Sequence, residues 1–294
     1  MPIQQNAEIF RQVDSLPSLP ATVSKVLAVT ADPESSAEDL VQAILPDQAM
    51  CATILKLANS AFFGMPREVA TLDKAVTVLG FNEVHNLVLG KAVFNSFKNI
   101  SDSNRKAIDI FWYHSFTCGL CAKILAEEFR CSPSELFIAG LIHDIGKLAL
   151  FTARPEEYLK ILELPETAPI LCKPLEIETL GIDHEQVGYR LLTRWLFPES
   201  LLNTVGFHHR PQECNTPLYA LIIQLSDALS ILCPLQDPAK KVPLLQQLLR
   251  LVPDSQDLWT KQNVDVNEEQ LQHWMKALTA SVVKDSAIFE IFKS

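Results

Sequence analysis

The residues best suited to chemistry are histidines and aspartates that recur within apolar stretches in the middle of the chain. Five of the seven histidines fall between residues 114 and 209, and two aspartates lie in similar stretches. They are His114, His143, His184, His208 and His209, together with Asp144 and Asp227. A carboxylate removed from water is costly unless it is paired or bound to a metal. The pattern therefore predicts a divalent cation held by imidazole and carboxylate side chains.

Taken one at a time, these residues have ordinary structural explanations. His114 alone could be a core histidine bonded to a carbonyl, and Asp227 alone could pair with an arginine. The pair His208-His209 could be a solvated helix end. The doublet His143-Asp144 is harder to explain in this way, because it follows a strongly apolar segment and precedes Lys147. Considered together, the seven residues favour a metal site.

The elements that must position these side chains are helices. Ser132, Pro133 and Glu135 form a helix start with a cap, a proline in the first turn and a capping-box glutamate. The following residues, 136–142, are apolar on every side, which is typical of a helix at the centre of a protein. Asp183 predicts another helix start, directly before His184. Because no alternation of period two is visible, we expect an all-α protein.

Composition shifts suggest three parts. A polar stretch at residues 101–106 is a candidate junction, and residues 153–182 are proline-rich, so they form a long connection or two short helices. We therefore expect an N-terminal helical subdomain at 1–103, a metal-binding helical core at 104–235 and a C-terminal helical extension at 236–294. In the first part, Ser35 and Glu38 predict a capping box.

Composition also excludes some classes of function. The formal net charge is -10, which argues against a nucleic-acid scaffold because phosphate backbones require a basic face. Seven cysteines, an odd number within mostly apolar segments, indicate reduced buried thiols. The first residues lack a signal-peptide pattern, and polar residues interrupt the longest apolar runs. We expect a cytoplasmic protein that does not enter a membrane.

Four segments resemble known families. His143-Asp144-Ile145-Gly146-Lys147 resembles the signature of the HD metal-dependent phosphohydrolase superfamily. The N-terminal part is similar to the HDOD family, which has counterparts of Leu16-Pro17-Ser18-Leu19-Pro20, of Leu57-Ala58-Asn59-Ser60-Ala61-Phe62-Phe63-Gly64 and of Ala75-Val76-Thr77-Val78-Leu79-Gly80. The resemblance extends over about residues 14–235 and implies an HD-domain-like helical bundle.

The resemblance also implies roles for individual residues. His114, the His143-Asp144 doublet and Asp227 match the ligands of one HD metal centre. His184 and the pair His208-His209 resemble the extra ligands of the two-metal HD-GYP branch, in which Asp144 would bridge the metals. That branch has a Gly-Tyr-Pro segment after the double histidine, whereas this chain reads Arg210-Pro211-Gln212-Glu213, which argues against hydrolysis of a cyclic dinucleotide.

Two functions follow from this resemblance. The first is a bacterial regulatory HDOD protein that retains two ions of iron, manganese or zinc and hydrolyses a phosphoester or nucleotide. Asp144 and Lys147 would then be catalytic, and Lys147 and Arg210 would contact the substrate phosphate. The alternative is a catalytically silent signalling scaffold that binds metal or a small ligand and acts through protein partners.

Overall fold

The structure is a computed structural model that describes residues 2–60, 62–98, 105–162, 172–233, 242–253 and 255–293. The described residues form helices and connections and contain no β-strand, so the all-α prediction is confirmed. The α-helices are α1 (Pro2–Asp14), α2 (Ala21–Ala31), α3 (Ala37–Ile44), α4 (Gln48–Ala58), α5 (Leu72–Leu79), α6 (Phe81–Ser96), α7 (Arg105–Glu128), α8 (Pro133–Ile142), α9 (Ile145–Ala153), α10 (Pro155–Leu162), α11 (Cys172–Leu180), α12 (His184–Arg194), α13 (Glu199–Phe207), α14 (Pro217–Leu232), α15 (Leu244–Leu251), α16 (Gln256–Lys261), α17 (Glu268–Lys284) and α18 (Ser286–Lys293). A short 3-10 helix spans Pro211–Glu213.

The chain divides into two compact units. The first unit consists of Met1–Leu16 and Ile100–Thr279, and the second of Pro17–Asn99 and Ala280–Ser294. Helix α1 packs with α9 and α12, and α18 packs with α4 and α6. The sequence predicted three parts at 1–103, 104–235 and 236–294. The three-domain division stays a prediction. Most of the polar stretch expected at the junction lies outside the described residues.

The second unit is built around α6, whose residues Val84–Phe94 are buried on every side. The capping box of α3 uses Ser36 and Asp39. The prediction of Ser35 and Glu38 was therefore one residue early, since two serines stand side by side and Asp39 replaces the expected glutamate. On α6, the buried Lys91 donates a hydrogen bond from Nζ to the carbonyl of Phe292 at 2.9 Å.

The first unit contains a close crossing of α7 and α8. A Cβ added to Gly140 would lie 2.7 Å from Cα of Gly119, so the two backbones touch where the glycines face each other. Ser132 caps α8 by accepting a hydrogen bond from the backbone N–H of Glu135, as predicted. The predicted capping box is not formed, because the Glu135 carboxylate accepts from the hydroxyls of Ser200 and Tyr219 instead. This crossing brings the C-terminal end of α8 to the middle of α7.

A second close crossing joins α9 and α12. A Cβ on Gly146 would stand 1.9 Å from the carbonyl oxygen of His184 and 2.8 Å from the backbone nitrogen of Gly188. Only glycine therefore fits at position 146 without moving a backbone. Asp183 begins α12 by accepting a hydrogen bond from the N–H of Gln186 at 2.9 Å, which confirms the predicted helix start.

Helix α1 is tied to the same part of the first unit by arginines. Arg190 of α12 donates to both carboxylate oxygens of Asp14, at 2.9 and 2.5 Å, and its guanidinium lies 4.5 Å from the centre of the Phe10 ring. Arg194 donates to the carbonyls of Val13 and Leu16. The N-terminal helix is thereby fixed to α12.

The stretch Pro133–Ala153, which includes α8 and α9, is long enough and apolar enough to cross a membrane, judged by length and composition alone. Its most apolar window is 83% buried inside the protein. Core helices satisfy the same criteria, so this is weak evidence for a membrane span.

Candidate metal centre

The seven predicted ligands come from five segments of the first unit. His114 lies on α7, His143 follows α8, Asp144 precedes α9, and His184 is the first residue of α12. The remaining ligands are the pair His208-His209 directly after α13, and Asp227 on α14. Most of them stand at helix ends, where a backbone can approach a shared point more closely than a helix surface allows. The structure brings all seven side chains into one contiguous cluster.

Asp144 lies between two groups of histidines. Its Oδ1 is 3.3 Å from Nε2 of His184 and 3.6 Å from Nε2 of His208. Its Oδ2 is 3.3 Å from Nε2 of His143 and 3.9 Å from Nε2 of His114. We call Asp144 with His184, His208 and His209 the three-histidine group. The two carboxylate oxygens thus face different sets of ligands.

The other set, the two-histidine group, consists of Asp144, His114, His143 and Asp227. Oδ1 of Asp227 lies 3.1 Å from Nε2 of His114 and 3.7 Å from Nε2 of His143. This group therefore has two carboxylates and two imidazoles, whereas the three-histidine group has one carboxylate and three imidazoles. Both compositions are typical of sites for iron, manganese or zinc.

Several polar atoms of the cluster lack a conventional partner. His143, His184 and His208 have no exposed surface, and Asp144 is 1% exposed. Within the described residues, Nε2 of His143 and Oδ1 of Asp144 are buried without a hydrogen-bond partner. Although charged atoms lie within 4 Å of both, the alignment is not that of a hydrogen bond. Buried polar atoms are rarely left in this state, so the arrangement fits a cation.

The nitrogen atoms of the three-histidine group give the same indication. Nε2 of His184 lies 3.1 Å from Nε2 of His209 and 3.4 Å from Nε2 of His208. Nδ1 of His184 and Nδ1 of His208 each face a hydrogen-bond acceptor, so in the neutral rings the two Nε2 atoms present lone pairs to each other and repel. A positive ion among the three nitrogens removes this conflict.

The opposite ring nitrogens have partners that orient the rings. Nδ1 of His143 lies 2.7 Å from the carbonyl oxygen of Gly140, and Nδ1 of His208 lies 2.9 Å from that of Val205. These two nitrogens must carry the proton, since a carbonyl only accepts. In the neutral form of both residues, Nε2 is then the unprotonated nitrogen that faces the cluster, as a metal ligand requires.

The same holds for His114 on α7, which is only partly buried. Nδ1 of His114 lies 3.2 Å from Oγ of Ser230, and that hydroxyl donates its own hydrogen to the carbonyl of Asp227 at 2.7 Å. Oγ therefore accepts from Nδ1. In this tautomer Nε2 of His114 also presents its lone pair toward the carboxylates.

The electrostatics of the cluster favour charged carboxylates. Burial would raise the pKa of Asp144, but His143 and Lys147 hold it well below its usual value. Burial would likewise raise the pKa of Asp227, but the neighbouring imidazoles of His114 and His143 hold it well below its usual value. Burial lowers the pKa of His208. Ionised carboxylates and neutral imidazoles are the protonation states that bind metals.

Lys147 supplies positive charge next to Asp144, and the same carboxylate favours protonation of His143 when no ion is bound. Burial opposes protonation of His143, yet the carboxylate of Asp144 raises its pKa well above the ordinary value. Nζ of Lys147 is 2.5 Å from Oδ2 of Asp144, and this carboxylate raises the lysine pKa despite burial. Lys147 thus reaches the shared carboxylate on the side of the two-histidine group. Its predicted contact with a phosphate stays a prediction.

Arg210 is engaged by carboxylates. Its Nε lies 3.2 Å from Oε2 of Glu185 and its Nη1 lies 2.8 Å from Oε2 of Glu213. Lys173 bonds the same oxygen of Glu185. The other oxygen, Oε1, accepts from the backbone N–H of His209 at 2.9 Å. Arg210 therefore supports the double histidine through Glu185, and its predicted role toward substrate stays a prediction.

Three functional residues were missed from the sequence: Tyr158, Glu176 and Glu185. Glu176 and Glu185 have no exposed surface, and Tyr158 is 1% exposed. Tyr158 and Glu176 lie in the proline-rich stretch, which forms α10 and α11 with residues 163–171 outside the described part. Glutamates at such positions resemble surface residues. Only Glu185, the direct neighbour of His184, carried a signal, because metal-binding histidines commonly have a supporting carboxylate nearby.

Comparison with known proteins shows which family the chain resembles. The HDOD domain family model matches residues 16–211. An uncharacterized protein of Treponema pallidum (strain Nichols) is 27% identical over 205 residues, which are 69% of this chain and 39% of that protein. The chain therefore spans about two fifths of the length of this relative.

Two solved structures share the fold over nearly the whole chain. A protein of Shewanella amazonensis SB2B, provisionally described as a phosphohydrolase, matches with a TM-score of 0.72 and 22% identity, covering 97% of this chain and 98% of its own. An HDOD domain protein of unknown function from Geobacter sulfurreducens matches with a TM-score of 0.68 and 23% identity, covering 99% and 96%. At these levels of sequence identity the two matches show the fold alone, and they confirm the predicted HD-like helical architecture. Since the HDOD family model matches two thirds of the residues of this chain, the chain belongs to the HDOD family.

Proposed function

We propose that this HDOD protein is a metal-dependent phosphohydrolase that holds two divalent ions and hydrolyses a phosphoester or nucleotide. The observation that carries the proposal is the position of Asp144, whose two oxygens face the three-histidine and two-histidine groups separately. A carboxylate between two sets of imidazoles is the arrangement that two neighbouring ions require. Iron, manganese and zinc are the ions that suit these ligands.

The chemistry follows from the ligands. When bound, divalent ions polarise a phosphoryl oxygen and lower the pKa of water to near neutrality. In the hydrolysis, water adds its oxygen to phosphorus, the ester P–O bond breaks, and the alcohol leaves with a proton. The buried imidazoles keep Nε2 unprotonated, and Lys147 places a cation at the edge of the cluster, where a phosphate could bind.

The experiment that tests this proposal compares metal content and turnover in the same preparations. Protein purified without chelators should carry about two equivalents of iron, manganese or zinc and hydrolyse bis-p-nitrophenyl phosphate or p-nitrophenyl phosphate. Asp144→Asn keeps the size of the side chain but removes the shared charge, so metal content and turnover should both fall. His273→Ala, at an exposed histidine of α17, is the matched control and should change neither. Wild-type protein that takes up no such ion would refute the proposal.

A second candidate is a signalling module whose metal is structural. The observation that favours it is the engagement of Lys173 and Arg210 with Glu185, which leaves Lys147 as the remaining predicted contact for a phosphate. This candidate predicts full metal content without turnover of any phosphoester tested. It also predicts that partner binding, measured by co-purification, depends on Asp144.

A further inference from the structure

We propose that Glu176 is a positioning residue that orients His184 and strengthens metal binding at the three-histidine group. The inference rests on the proposed metal site, and it concerns a residue of α11 that touches no substrate position. Glu176 is fully buried and lies between α10 and α12. It would make the two metal positions unequal in affinity.

The contacts of Glu176 use both carboxylate oxygens. Oε2 accepts a hydrogen bond from the backbone N–H of His184 at 2.9 Å and lies 2.6 Å from Nδ1 of the same residue. Oε1 accepts from the hydroxyl of Tyr158 at 2.5 Å. One carboxylate thus holds both the backbone and the ring of a single ligand. A histidine fixed at these two points cannot turn its ring without breaking a buried hydrogen bond.

The protonation of the ring follows from these contacts. Because the Glu176 carboxylate accepts at Nδ1, the proton of neutral His184 lies on Nδ1 and the lone pair lies on Nε2. That Nε2 is 3.3 Å from Oδ1 of Asp144 and faces Nε2 of His208 and His209. The contact with Glu176 therefore directs the ligand lone pair at the centre of the three-histidine group.

His184 differs from His114, His143 and His208 in the chemical nature of the group that its Nδ1 contacts. His143 and His208 donate to neutral carbonyls, and His114 donates to the hydroxyl of Ser230. His184 alone among these four donates to a carboxylate. An anionic partner makes an imidazole more basic and hence a stronger metal ligand, and removing such partners commonly weakens metal binding 10–100-fold.

A purely structural role is the competing explanation. Glu176 connects α10, α11 and α12, so it could serve only to hold these helices together. The partners of Glu176 among the described residues are the hydroxyl of Tyr158 and the ring and backbone of His184. No Lys or Arg of the described residues lies within ion-pair distance of it. Stability alone would be served as well by a neutral side chain, which makes the retained charge informative.

The test is a stepwise titration of Zn²⁺ into chelator-treated full-length protein, followed by calorimetry, with wild type expected to bind two ions in distinguishable steps. Glu176→Gln keeps the size and most contacts but removes the charge. It should weaken one step roughly 10–100-fold and leave the other within about 2-fold. Ser230→Ala is the matched variant for the two-histidine group, and it should weaken the other step.

The outcomes separate this inference from the proposed function. If Glu176→Gln lowers the melting temperature but leaves both affinities unchanged, Glu176 is structural and the inference is wrong while the metal site stands. Wild-type protein that binds no ion overturns both. Should Glu176→Gln fail to fold, two other measurements remain. The milder variant Tyr158→Phe removes only the contact to Oε1 of Glu176. In metal-free wild-type protein, the nitrogen-15 shifts of His184 must report a proton on Nδ1.

Discussion

The substitution Gly146→Ala tests whether the crossing of α9 and α12 positions the candidate metal centre. The new Cβ would lie 1.9 Å from the carbonyl oxygen of His184, whereas nonbonded carbon and oxygen atoms approach to about 3.3 Å. The obstructing atoms belong to a backbone and cannot rotate away. The helices must therefore separate locally by roughly 1.4 Å, the difference between these distances.

Two measurable effects follow from this separation. Overpacking of a buried contact costs about 1–3 kcal/mol, and a backbone clash belongs at the upper end, so the melting temperature should fall by roughly 6–12 °C. Asp144 begins α9 and His184 begins α12, so their Oδ1–Nε2 distance should lengthen as well. Metal–ligand distances tolerate only about 0.2 Å, so the three-histidine group should lose its ion.

The matched control is Gly188→Ala at the same crossing. Its Cβ would meet Cγ1 of Val205 at 2.9 Å, which is a longer approach than at Gly146 and involves a side-chain atom instead of a backbone atom. The cost should be about 1 kcal/mol and is offset by the greater helix preference of alanine. Melting curves by circular dichroism and metal content by elemental analysis report both variants. If Gly146→Ala has the same melting temperature and the same metal content as Gly188→Ala, the crossing does not position the site.

Three further perturbations probe other parts of the molecule. Burial lowers the pKa of Lys91 to about 8, so between pH 8 and pH 10 the unfolded chain keeps a proton that the folded chain has released. The free energy of unfolding should rise over this range by about 1–2 kcal/mol more in wild type than in Lys91→Met, as measured by urea titration, and parallel curves would contradict this. Arg190→Ala removes the exposed ion pair with Asp14, so global stability should change by at most about 1 kcal/mol while amide exchange in α1 accelerates. Chelation of the proposed ions should lower the melting temperature, since free ion at 100 times its Kd adds about 2.7 kcal/mol, and identical curves with and without chelator would contradict an occupied site.

The sequence was sufficient to predict the class of fold and the convergence of the side chains that stand at helix ends. Ser132 and Asp183 cap helices as predicted, because a capping bond is local and depends on residues three apart. The cap of α3 was placed one residue early, since Ser35 and Ser36 satisfy the same local pattern. The convergence of the histidines could be predicted because a buried imidazole or carboxylate is costly wherever it lies.

What the sequence could not predict depends on contacts between distant segments. Tyr158, Glu176 and His184 meet through the packing of three helices, and no local rule distinguishes Glu176 from a solvated glutamate. The engagement of Arg210 with Glu185 has the same cause, since the partners are 25 positions apart. The close fit at Gly146 was also hidden, because a glycine within a motif does not reveal which backbone lies against it.

The division of the chain into two discontinuous units has a consequence for biosynthesis. The polypeptide passes from one unit to the other near residues 16, 99 and 279, so neither unit is a contiguous stretch. During translation, α1 emerges before its partners α9 and α12, and α6 emerges well before its partner α18. Long sequence separation between partners slows folding and leaves apolar surface exposed on the ribosome. We therefore expect nascent chains that stop before α17 to depend on chaperones, although all seven metal-site side chains have already been synthesised.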